Sequence, residues 1–161
     1  MVEEKVEEKQ QQNTGKKRFP RAHIDIDLPI HLEDEYFNSE LDKMNFYREL
    51  ESIETKEELE EIQKDFSRTG YIKPSNGLHN LFKILELQII AGKERITHIK
   101  KIGKNYQIDF SSDITLEEVK HFLAKDTNIY WSVVTISRLR SDTQRYRDDV
   151  EFIDTLLKTL Q

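Results

Sequence analysis

The sequence has no cysteine, and that removes several chemistries at once. Disulfides, thiolate zinc sites and cysteine nucleophiles are all excluded. Glycine is sparse and scattered, at Gly15, Gly70, Gly77, Gly92 and Gly103, so no Walker or dinucleotide phosphate loop can be assembled. No apolar run approaches the roughly eighteen residues of a bilayer-spanning helix. The start, MVEEKVEEKQ, lacks the apolar stretch of a signal peptide. These absences predict a cytoplasmic protein with no membrane partner. A basic excess is missing too: net charge is −6, and with the first twenty residues at +1 the remainder carries −7. Such a body is poorly suited to general phosphate-backbone binding, which needs a basic face to release counterions, so no direct nucleic-acid contact is expected of it. The histidines are dispersed, none forming an i, i+4 metal pair, and no serine sits in a nucleophile elbow. Nothing marks an enzyme, and no cofactor is expected.

What is present is one domain's worth of core under a densely charged surface: 161 residues, 36% hydrophobic and 35% charged. Residues 1–19 are rich in Glu, Lys and Gln and read as a flexible polar linker; residues 20–161 read as a single compact domain. In AHIDIDL, Ile24, Ile26 and Leu28 alternate with His23, Asp25 and Asp27, the period of a half-buried strand that Pro29 ends. Asp25 and Asp27 at that spacing also suit a divalent metal, but a hard cation wants further oxygens, and the nearby acids lie on surface-like segments. A helix over 39–53 follows, with Ser39 as N-cap and Leu41, Met44, Phe46, Tyr47, Leu50 and Ile53 as its apolar positions. Thr55 and Glu58 have the capping-box spacing and open a helix over 56–66. The segment 77–91 is apolar nearly all round, predicting a central helix that Gly92 stops.

RITHIKKI and YQIDFS flank Gly103, Lys104 and Asn105, predicting a hairpin with a three-residue connection and a bulge near Ile99. Thr115 and Glu118 repeat the capping box, with Leu116, Val119, Phe122 and Leu123 facing the core. NIYWSVVTISRL reads as one further strand, and 146–160 as a closing helix. The order β-ααα-ββ-α-β-α is α+β, or irregular α/β. Against the acidic average, RLRSDTQRYR gathers Arg138, Arg140, Arg145 and Arg147. They pair with Asp142, Asp148 and Asp149, or contact an acidic partner, or serve a nucleic-acid-contacting accessory module.

The ordered motifs resemble the C-terminal domain of bacterial transcription-repair coupling factors. Asp27, Leu28 and Pro29 fit that family's first strand, and Phe46, Tyr47, Arg48 and Leu50 its first helix. Thr55, Glu58, Leu59, Glu60, Glu61, Ile62, Asp65 and Phe66 fit the second; Asn80, Leu81, Leu85, Leu87 and Ala91 fit the third. DFSRTGYIKP departs from the family's turn at that point. The resemblance implies a non-catalytic regulatory domain, a fragment or a truncated relative of a larger chain, without its ATP-driven translocase motor. It implies docking on the UvrB-like module of the same protein, masking the UvrA-binding surface and restraining the motor until RNA polymerase is engaged. UvrA and RNA polymerase are then indirect partners. The acidic residues Glu33, Asp34, Glu57, Glu58, Glu60 and Glu61 become the expected contacts, and Asp25 and Asp27 surface acids facing a basic patch.

Overall fold

The computed structural model describes residues 20–30, 32, 34–68, 76–125 and 129–161; the linker expected over 1–19 lies outside them. The chain enters through strand β1 (His23–Asp25), shorter than the alternation predicts. Ile26 and Leu28 are still buried and Asp27 still exposed, but ladder pairing stops at Asp25. A 3-10 turn (Asp34–Tyr36) leads to α1 (Glu40–Ser52), where Ser39 Oγ accepts from the Asp42 N–H at 3.1 Å as the N-cap reading requires. Leu41 and Met44, expected among the apolar positions of α1, are instead exposed at 63% and 51%, because its inward face runs through Phe46, Tyr47 and Leu50.

Helix α2 (Lys56–Arg68) has the predicted start with one difference. Thr55 Oγ1 accepts from the Glu58 N–H at 3.2 Å, but the Glu58 carboxylate accepts from Glu54 N–H, at 2.8 Å, one residue before the cap. Helix α3 (Asn76–Lys93) is covered on two sides, as an all-round apolar helix must be. Leu78, Leu81, Leu85 and Ile89 pack with Leu50, Ile53, Leu59 and Ile62 of the α1–α2 region. Ile84, Leu87, Ile90 and Ala91 face a second core built on the sheet. Gly92 does not end α3; it lies inside the last turn, and a Cβ there would stand 2.2 Å from the Pro20 carbonyl oxygen. The chain reverses instead at Arg95, whose φ of 65° is left-handed.

Strands β2 (Ile96–Ile102) and β3 (Asn105–Phe110) form the predicted hairpin, but Ile102 pairs with Asn105, so only Gly103 and Lys104 connect them. Gly103 takes the positive φ, 55°, that this tight turn needs. A bulge between Ile96 and His98 turns both Ile96 and Ile99 inward and leaves Ile102 exposed. Helix α4 (Leu116–Ala124) carries a complete Thr115–Glu118 capping box. Leu116 opens its first turn on the solvent side, against expectation, while Val119 and Phe122 are buried.

The segment read as one strand is a hairpin, β4 (Ser132–Thr135) and β5 (Arg138–Asp142). A 3-10 turn (Thr143–Arg145) precedes α5 (Asp149–Leu160), which starts at Asp149 because Asp148 caps it, accepting from the Glu151 N–H at 2.8 Å. The described elements are therefore β-ααα-ββ-α-ββ-α, an α+β fold on a five-stranded sheet of order β1-β2-β3-β5-β4. β1 runs parallel to β2, and the other pairs are antiparallel.

The register sorts the two sheet faces. Ile24, Ile99, Ile108, Leu139 and Val133 form one cross-strand row on the core side, with Val133 exposed at the edge. On the opposite side run two polar rows, His23–His98–Asp109–Arg138–Thr135 and Asp25–Lys100–Gln107–Arg140–Ser132.

Candidate interaction surface

Asp25 ends the second polar row beside Lys100 at the sheet edge, and Asp27 follows it, exposed. Among the described residues no three His, Asp or Glu side chains converge as metal ligands would. The expected acidic contacts occupy different settings. Glu33 lies outside the described residues. Asp34 heads the 3-10 turn and pairs with Lys43 Nζ at 2.9 Å; that hydrogen bond is the main reason the Lys43 ammonium is held above its ordinary pKa.

Glu57, Glu58, Glu60 and Glu61 all stand on the outer face of α2, since Leu59 and Ile62 take the inner one. Acids in the first turn also suit the positive end of the helix dipole. Glu58 is already committed to the cap, whereas Glu60 and Glu61 extend into solvent. These side chains are thus brought to one helix face, but not for one purpose.

The arginine cluster separates into two surroundings. Arg138 and Arg140 lie i, i+2 on β5 and point to the polar sheet face, where Arg138 Nε donates to Asp109 Oδ1 at 2.8 Å and Arg140 Nε to Gln107 Oε1 at 2.9 Å. Arg145 lies over the exposed Tyr130 ring, 4.2 Å from its centroid. Arg147 is exposed, 3.9 Å from Asp148 and 3.8 Å from Glu151. Of the pairings predicted with Asp142, Asp148 and Asp149, only Arg147–Asp148 forms among the described residues. The reason is local: Asp142 caps the 3-10 turn, and Asp149 belongs to Lys101 at 3.0 Å and to Tyr106 Oη at 2.5 Å.

Two polar networks have no counterpart in the sequence pattern. On the open sheet face, Asp109 accepts from Arg138 and Gln107 and lies 3.6 Å from Lys100 Nζ. Burial raises its pKa, but these donors outweigh burial and hold the carboxyl below its usual range. At the start of α5, Asp149 behaves likewise: burial opposes ionisation, and Tyr106 and Lys101 more than offset it. The Tyr106 hydroxyl is pushed up, first by burial and then by its bond to Asp149. The strand alternation puts Asp109 on the outer face, but nothing in sequence spacing links it to Arg138.

A family model, the TRCF domain, matches residues 26–120, more than half of the chain. The transcription-repair-coupling factor of Staphylococcus haemolyticus is 28% identical over 127 residues, 79% of this chain. That of Bacillus subtilis is 24% identical over 100% of this chain. The chain spans only 11% and 14% of those two relatives. A crystal structure of the C-terminal domain of transcription-repair coupling factor superposes with a TM-score of 0.74 at 18% identity, covering 89% of this chain and 94% of that one. Sequence and fold converge: the chain belongs to the transcription-repair coupling factor family, as its C-terminal, TRCF domain.

Proposed function

We propose that this domain is a non-catalytic regulatory module of a cytoplasmic coupling factor, with residues 20–161 as the docking body. It binds the UvrB-like module of the same protein, masks the surface that UvrA uses, and restrains the translocase until RNA polymerase is engaged. The observation that carries the reading is the outer face of α2, where Glu57, Glu60 and Glu61 project from a helix whose inner face is fixed by Leu59 and Ile62. An acidic, rigidly backed face suits a basic partner surface and steers it by charge. Attachment within one chain raises effective concentration, so a weak interface holds the closed state and still releases it.

The test is titration calorimetry of the whole chain against the UvrB-like module from the same organism, at two salt concentrations. Glu57, Glu60 and Glu61 are reversed to Lys in a variant, and Glu58 is left in place because it caps α2. Saturable binding that weakens with salt and disappears in the folded variant is the expected result. Absence of heat at high micromolar concentrations, with both partners folded, would overturn the proposal.

A further inference from the structure

Between the 3-10 turn, α1 and α2 lies a small pocket of about 310 Å³. Half of its lining is rings, beside the polar Asn38 and Asn45 and two acids: Phe46 and Phe66 have centroids 5.3 Å apart, Phe37 and Phe46 5.4 Å, and Tyr36 and Phe66 5.5 Å. These rings belong to the α1–α2 core yet remain only half-buried, because the pocket opens onto them. Asp42 and Glu49 line it from α1, one turn before and one turn after Phe46, which puts all three on one helix face.

Both carboxylates are exposed, and among the described residues neither is paired with a cation. Lys43, the nearest in sequence, is committed to Asp34. The volume is at the low end for a small-molecule site and suits a single side chain. Rings present a negative face, and two open carboxylates add formal negative charge. An apolar anchor would desolvate those carboxylates without compensation, and an anion would be repelled. A lysine ammonium is compact and strongly hydrated, with no flat surface to stack. A guanidinium is planar, weakly hydrated and able to lie on a ring while donating to carboxylates. The helix that supplies Phe66 also carries Glu57, Glu60 and Glu61, so the surroundings favour a basic segment beyond the anchor itself.

We propose that this pocket takes one arginine side chain of a basic partner protein. The identity of that partner rests on the docking function proposed above; the preference of the pocket for a guanidinium does not.

The experiment titrates the whole chain with N-acetyl-arginine amide, and separately with its neutral isostere N-acetyl-citrulline amide, following the aromatic carbon resonances by NMR. The arginine probe is expected to shift the Phe37, Phe46 and Phe66 signals saturably and the citrulline probe not to. Asp42→Asn with Glu49→Gln is expected to weaken the arginine titration by about tenfold or more. Equal response to both probes, no response, or an unchanged titration in the double variant would overturn the inference. If the double variant does not fold, the comparison of the two probes on the unsubstituted chain decides alone. Calorimetry against the UvrB-like module separates the two proposals. If the chain shows no preference for the arginine probe over citrulline but still docks, and the α2 variant does not dock, the pocket inference falls and docking stands. Selective arginine binding with no module binding does the opposite: the pocket inference stands and docking falls.

Discussion

A methyl group at residue 92 has nowhere to go. The position is helical, so alanine would gain about 1 kcal/mol of helix propensity over glycine. The Cβ would meet the Pro20 carbonyl oxygen at 2.2 Å, and that atom is backbone, unable to swing aside. Overpacking of this kind costs about 1–3 kcal/mol, so we expect Gly92→Ala to lower the urea midpoint; a raised midpoint would mean that the Pro20 segment shifts freely. Asp149 sets a second residue-level expectation. Its carboxyl is held below its usual pKa, so the stability it adds is present above about pH 4, the unfolded value, and is lost as pH falls through the folded one. Asp149→Asn should therefore reduce the midpoint at neutral pH and flatten the loss on acidification, as urea titrations carried from neutral pH downward through the carboxylate range would show.

At the level of elements, Glu58 and its neighbours separate capping from exposure. Removing a cap costs about 1 kcal/mol, whereas exposed substitutions usually stay within about 0.5 kcal/mol. Glu58→Ala should thus destabilise the chain, and Glu60→Ala and Glu61→Ala should leave thermal unfolding nearly unchanged. Legibility follows the same division between local and distant causes. Ser39, Thr55 and Thr115 announce their helices because a cap and its amide lie within three residues of each other. The β4–β5 hairpin is not legible, since its turn is Ile136–Ser137, without glycine, proline or asparagine. It is supported instead by Ser137 N–H donating to Thr135 Oγ1 at 3.3 Å. The aromatic pocket is equally hidden: Tyr36, Phe46 and Phe66 come from three elements, Phe37 from the link between the first two, and they share no period. The α2 acids are readable as an exposed face, but not the commitment of Glu58 to Glu54.

For the molecule as a whole, α3 is the common wall of two cores, so neither half should melt alone. Leu87 is fully buried on the sheet side. Leu87→Ala should cost about 2–5 kcal/mol and lower both halves together. Trp131, the sole tryptophan, packs against the sheet core and reports that half by fluorescence, while far-UV circular dichroism is weighted to the helices. Coincident transitions are expected; separate ones would show that α1 and α2 form an independent unit.

The sheet begins on an edge strand of three residues, paired in parallel with β2 on one side only. Just before it, the Ala22 N–H donates to the Gln88 carbonyl at 2.9 Å, and Pro20 rests on Gly92. Tension on the chain ahead of Pro20 would reach the fold at this point first. A pull along β1 loads its contacts together in shear, and a pull across it opens them one after another. The direction of a pull therefore bears on how readily this end of the domain comes apart.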